Sequence, residues 1–149
     1  MFEEAMLMSS ISVPRPRDPR RRPTASLSVA RSAEASVVTA AGELDLTVTD
    51  QLAALFAEEL RRRPAALVCD TSHVEFCAAR VLTILIDTVA DAAVAWVPFA
   101  VAGRRRALLR PITALGLQQA LPVHLNVAEA LHRLALPPRF ADRDSRGSS

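Results

Sequence analysis

Apolar and polar residues alternate weakly over Leu27-Ser28-Val29-Ala30 and again over Ser36-Val37-Val38-Thr39-Ala40, the two-residue period of paired, half-buried strands. Past the turn Gly42-Glu43-Leu44-Asp45 the period changes: Leu52, Leu55, Phe56 and Leu60 recur at helical spacing. Thr47 or Thr49 stands where a side chain can cap that helix, Arg61–Arg63 suit its negative C-terminal end, and Pro64 stops it. Ala65–Cys69 is a continuous apolar run before Asp70, as in a central strand covered on both faces. A short loop then leads to a helix beginning near Ala78, with Leu82, Leu85, Ile86 and Val89 on one stripe and Arg80, Thr83, Asp87 and Asp91 on another. Phe99–Ala102 is the next strand, broken at Gly103. Arg104–Leu115 is helical in pattern, kinked or restarted at Pro111 and capped by Gly116. Val123-His124-Leu125 is a last short strand, and Asn126–Glu129 forms a capping box for a helix through Leu134. The order ββαβαβαβα predicts one α/β domain over residues 25–136: a mixed sheet with helices packed on it.

The two ends lack this order. Residues 1–24 mix acidic, Met, Ser, Pro and Arg residues without periodicity, and residues 137–149 form a second loose end, so both are expected to be disordered tails. Met6 and Met8 offer alternative starts.

Composition narrows the classes. The length of 149 residues suits a single core, and half of the residues are hydrophobic, but aromatics are only 4% and Tyr is absent, so Ala, Val, Leu and Ile must build it. All eighteen basic residues are Arg, which with the abundant Ala looks like GC-rich coding; a net charge of +2 is too small to argue for nucleic acid. Cys69 and Cys77 lie in apolar surroundings, as expected in a reducing cytoplasm. Cys69, His73 and Cys77 fall at a C-x3-H-x3-C spacing, but structural zinc normally has four ligands in tighter pairs, so no metal site is expected. The apolar stretch Leu82–Gly103 carries Asp87 and Asp91, each costing about 2.5–3.5 kcal/mol near a bilayer centre, and Pro98 divides it, so it is read as helix then strand with no membrane insertion. No Gly-rich phosphate loop, nucleophile elbow or cofactor motif occurs, His73 has no visible Ser or Cys partner, and His124 and His132 read as structural; neither an enzyme nor a cofactor is expected.

Two segments, in order, carry a resemblance. Gly42-Glu43-Leu44-Asp45, followed by a strand ending at Asp70 and then Phe76-Cys77-Ala78-Ala79-Arg80-Val81-Leu82, resembles the STAS domain, the fold of bacterial anti-sigma-factor antagonists. Gly116-Leu117, Leu121, Val123 and Glu129-Ala130-Leu131 match the tail of that pattern, so the resemblance covers residues 26–135. In the family the helix opens with a motif like F-[IMC]-D-S-[ST]-G-L, whose last hydroxyl accepts phosphate from a partner kinase. Here Phe76 and Leu82 keep the frame, while the Asp, both hydroxyls and the Gly are replaced, and Arg80 occupies the acceptor position.

The resemblance implies a non-enzymatic, protein-binding regulatory module that docks an anti-sigma-factor kinase or related signalling protein, and that is not phosphorylated at the usual position. Its partner-facing set would be Asp45, Asp70, Thr71, Ser72, Ala79, Arg80, Thr83 and Asp87, with Arg80 paired to Asp45 or Asp70. No acceptor is expected at the family position, Thr83 is only a weak candidate for a substitute, and residues 78–83 are expected to stay unphosphorylated. The alternative role is that of the small STAS subunits attached to lipid-transport ATPases, where loss of the acceptor has no consequence.

Overall fold

The computed structural model describes residues 7–12 and 25–135. A six-stranded sheet runs in the order β1 (Leu7–Ser12), β2 (Ala25–Arg31), β3 (Ser36–Leu44), β4 (Leu67–Cys77), β5 (Phe99–Ala102) and β6 (Val123–His124). β1–β2 and β2–β3 are antiparallel; β3–β4, β4–β5 and β5–β6 are parallel. The crossovers are α1 (Thr49–Arg61), α2 (Ala79–Ala95) and α3 (Arg106–Ala114), and α4 (Val127–Ala135) closes the domain. The expected order ββαβαβαβα therefore holds from β2 onward, as does the mixed sheet. Leu7–Ser12, within a stretch expected to be tail, instead pairs with β2 from Leu7↔Arg31 to Ser12↔Ser26. The remainder of both expected tails lies outside the described residues.

Three layers result. Leu27, Val29, Val38, Ala40, Leu67 and Cys69 face a core completed by α1, α2 and α3. On the opposite face Val68, Ala100 and Ala102 meet Ala130 of α4. Strand alternation explains the division, since Leu67 and Cys69 point one way and Val68 the other.

Several local expectations are corrected. The residue before α1 is Val48, and no side chain caps that helix. Thr47 instead donates its N–H (2.9 Å) and hydroxyl (2.5 Å) to Asp45 Oδ1, and the Thr49 hydroxyl donates to the Leu46 carbonyl (3.1 Å). The buried stripe of α2 is Val81, Leu82, Ile84, Leu85, Thr88 and Ala92, wider than expected because α2 packs on α1 as well as on the sheet; Val89 is exposed. Helix α3 continues unbroken through Pro111, and Gly116, at φ 68°, follows its end as expected. The Asn126 cap of α4 forms, with Asn126 Oδ1 accepting from the Glu129 N–H (2.8 Å), while Glu129 Oε1 accepts from the Leu125 N–H (2.5 Å), one residue before the N–H that the expected capping box would use.

One buried charge ties the layers together. Glu59 of α1 is 0% exposed. Arg31 of β2 donates to it through Nε (3.1 Å) and Nη2 (2.7 Å), and Ser36 adds a further hydrogen bond. Burial alone would raise this carboxyl, but the hydrogen bonds from Arg31 and Ser36 and the charges of Arg31 and Arg62 outweigh it and hold it below the ordinary carboxylate value.

Candidate protein-interaction edge

The carboxyl ends of β3, β4 and β5 form one edge of the sheet, and α2 begins there. Strand β4 is longer than the apolar run Ala65–Cys69 suggested: it continues through Cys77 beside Ala41–Leu44. Two irregularities let it do so. Thr39 pairs with Asp70 and Ala41 with His73, leaving Thr71 and Ser72 opposite Ala40 alone; Gly42 pairs with Val74 and Glu43 with Phe76, leaving Glu75 over. Such bulges turn a polar stretch that breaks alternation into continued strand. Gly42, at φ 85°, supplies the backbone freedom on the facing strand.

Thr71 and Ser72, expected in a loop, therefore belong to β4. Thr71 is buried, and its hydroxyl lies 2.8 Å from the Ala102 carbonyl and 2.9 Å from that of Gly103. It holds the β5–α3 connection against β4 and does not belong to an exposed face. Ser72 donates its N–H (3.0 Å) and hydroxyl (2.5 Å) to Asp70 Oδ1, so the Asp70 carboxylate shapes the bulge. Arg105 reaches across from the start of α3 and donates to the Ser72 carbonyl (3.0 Å).

The opening of α2 is set by Ala78, whose N–H donates to the Leu44 carbonyl (2.9 Å) at the end of β3. Ala79 and Arg80 follow as the first two helical residues, both exposed. No side chain caps this end and its first turn carries no acid. A cation near a helix N-terminus is disfavoured by about 0.3–1 kcal/mol, so the α2 start is electrostatically set up for an added anion and carries Arg80 instead.

The expected pairing of Arg80 does not form: among the described residues its guanidinium makes no ion pair with Asp45 or Asp70. The Asp45 and Asp70 carboxylates serve their own turns, and Arg80 lies along the α1–α2 groove with Asp87 and Asp91, floored by Phe56, Ile84 and Thr88. Of the expected partner-facing residues, Ala79, Arg80, Thr83 and Asp87 are exposed on α2, while Asp45, Asp70 and Ser72 are half-buried beside the helix start. Sequence reasoning missed the exposed Arg104, Arg105 and Arg106 on this edge. The available signal was Gly103 ending a strand immediately before an arginine run.

Cys69 and Cys77 are buried while His73 is exposed, and among the described residues no group of His, Cys, Asp and Glu could hold a metal ion. Burial raises both thiols, with Asp70 and Cys77 adding to the effect at Cys69; Cys77 is pushed up to about 11. The reactive thiolate is then scarce at neutral pH. Alkylation of either cysteine at pH 8 is expected to run at least about a hundredfold slower in the folded protein than in denaturant, as mass spectrometry of iodoacetamide adducts would report.

The arrangement offers a mixed-charge surface around a helix start. No curated protein matches the chain in sequence. The family model described as "Mlab, STAS domain" matches residues 27–131. Among solved structures, an anti-sigma factor antagonist from Mycobacterium paratuberculosis is 29% identical with a TM-score of 0.65, over 74% of this chain and 93% of that one. RsbS of Moorella thermoacetica is 26% identical with a TM-score of 0.54, over 71% and 94%. The Bacillus cell-fate determinant SpoIIAA in its phosphorylated form shares the fold at 14% identity and a TM-score of 0.53, over 68% and 92%. With a family model spanning β2 to α4 and the strand and helix order of the fold in place, the chain belongs to the STAS-domain family.

Proposed function

We propose that this STAS domain is a non-enzymatic regulatory module that docks an anti-sigma-factor kinase or related signalling protein in the cytoplasm, and that it does so without being phosphorylated at the family's acceptor position. The observation that carries this reading is Arg80: it is the second residue of α2, exposed, at the position matching the acceptor, and has no hydroxyl to attack a γ-phosphate. The similarity to an anti-sigma factor antagonist and to RsbS supports the protein-binding role. Among the described residues no helix is long and apolar enough to cross a membrane.

The interface comprises the exposed α2 residues Ala79, Arg80, Thr83 and Asp87 with the Asp45–Asp70–Ser72 edge beside them. Mixed charges on such a surface orient a partner more than they add affinity. The double substitution Arg80→Glu with Asp87→Arg leaves stability within about 0.5 kcal/mol, because both side chains are exposed. It is expected to weaken binding to a purified anti-sigma-factor kinase from the same cell about tenfold, read by calorimetry. Unchanged affinity in a normally melting variant would place the interface elsewhere.

Incubation with that kinase and ATP leaves residues 78–83 unmodified. Stoichiometric phosphate on the exposed Thr83, found by peptide mass spectrometry, would mean that the switch has moved one turn along α2.

Arg80 in place of a hydroxyl also suits a second reading, an accessory subunit of a lipid-transport ATPase, in which no phospho-switch operates. Co-elution with an ATPase through gel filtration would favour that role, and a transient kinase complex the first.

A further inference from the structure

Trp96 violates two rules at once. It follows the last residue of α2 in the left-handed conformation, φ 60° and ψ 38°, where glycine is the usual occupant. It is also 88% exposed, although a large aromatic side chain gains most by burial. Positions that break local rules without local compensation are where function is expected, and exposed tryptophan is the residue type most enriched among binding hot spots.

Its surroundings supply the rest of a docking site. Val94 beside it is 81% exposed. A cleft of about 470 Å³ opens between the C-terminal ends of α1 and α2, lined by Ala57, Leu60, Val94 and Ala95 with Arg61 and Arg63 at its α1 end and Asp91 on its α2 wall. Arg63, also left-handed at φ 50°, donates to the Ala95 carbonyl (3.0 Å) and fixes the two helix ends together. The floor is apolar, and the run Arg61–Arg63 keeps the rim along α1 net basic although Glu58 pairs with Arg61 and Arg62.

We infer that this cleft binds an acidic, amphipathic segment of a partner protein, with one apolar side chain seated against Val94, a second covering Trp96 just outside the cleft, and carboxylates facing Arg61 and Arg63. The charge selects the occupant. A second copy seated symmetrically would bring two arginine clusters together, and an anionic bilayer fits poorly on a concave site that carries Asp91. Trp96 lies at the opposite end of α2 from Arg80, about 24 Å away at 1.5 Å per residue, and the cleft meets the groove that holds Arg80 at Ala57, Leu60 and Asp91, so it extends the α1–α2 surface away from the proposed kinase-facing edge.

Trp96 is the one tryptophan in the chain and reports its own environment. The probe is a synthetic 18-residue helical peptide with leucine on one face and glutamate on the other, titrated into the full chain. A saturable blue shift of tryptophan emission is expected, with at least tenfold tighter binding than for the same peptide carrying lysine. Fluorescein-labelled peptide then tests variants by anisotropy. Trp96→Gly weakens binding about tenfold while raising Tm by roughly 2–5 °C, because glycine relieves the left-handed strain. Arg61→Glu weakens it about fivefold. Equal or tighter binding of the lysine peptide overturns the proposal. So does a shift seen only with phosphatidylglycerol vesicles, which would identify a lipid surface, or one that tracks protein concentration alone, which would identify a second copy. Unchanged affinity in Trp96→Gly overturns it too.

Discussion

Replacing Glu59 by alanine is expected to lower the unfolding free energy by about 3–5 kcal/mol, read from urea denaturation with the slope unchanged. Arg31 and Glu59 are the buried ion pair joining β2 to α1; the Arg31 side chain is 20% exposed and that of Glu59 is 0% exposed. Removing the carboxylate leaves the guanidinium and the Ser36 hydroxyl without their acceptor in a site water reaches poorly. Truncation is therefore far more damaging than the pair's net worth suggests. The double variant Arg31→Met with Glu59→Leu separates the two quantities: an apolar pair of similar volume should recover most of the loss. If the double variant is as unstable as the single one, the packing of α1 rather than the orphaned charge is responsible.

The same carboxylate gives the protein a pH dependence of defined sign. Its folded-state value lies below the ordinary one, so folding favours the charged form. Its contribution is complete above the unfolded carboxylate value and is lost as pH falls through the lowered folded value. Stability measured from pH 6 downward should fall in wild type, and fall less steeply in Glu59→Gln.

Gly103→Ala is the second large effect, expected to cost about 2–5 kcal/mol from overpacking and backbone strain together. Gly103 sits at φ +98°, and a Cβ there would lie 2.4 Å from the Ser72 nitrogen and 2.8 Å from the Ser72 Cα. Neither neighbour can yield, since both are main-chain atoms of the β4 bulge that Thr71 and Arg105 pin to the β5–α3 connection. Gly116 provides the internal control: it is also left-handed, at φ +68°, but a Cβ there meets nothing within 4 Å. Gly116→Ala should therefore cost only about 1–2 kcal/mol, the conformational penalty alone. Equal losses at both positions in thermal melts would mean that the close approach to Ser72 relaxes freely. Because Gly103 anchors the edge where α2 begins, partner binding should weaken in Gly103→Ala but not in Gly116→Ala.

Local sequence by itself determined the element order from β2 to α4, the core stripe of α1 and the Asn126 cap of α4, because each is local: spacing fixes which residues share a face, and a cap lies within one turn of its helix. The order of motifs was enough for the family, and the identity of residue 80 for the missing hydroxyl. Even Glu59 was half legible, since its spacing from Leu52, Leu55 and Phe56 puts a carboxylate on the buried stripe, although its partner Arg31 is 28 residues away. Tertiary structure alone decided the rest. Leu7–Ser12 becomes a strand only because β2 offers it an open edge, and Thr71–Cys77 stays extended only because two bulges fit a polar segment to β3. Arg80 turned to the groove with Asp87 and Asp91, and the acids expected to hold it were engaged in turns of their own. Pattern records which face a residue occupies within its own element; which surface that face meets, and which side chain is already engaged, depends on contacts between residues far apart in the chain.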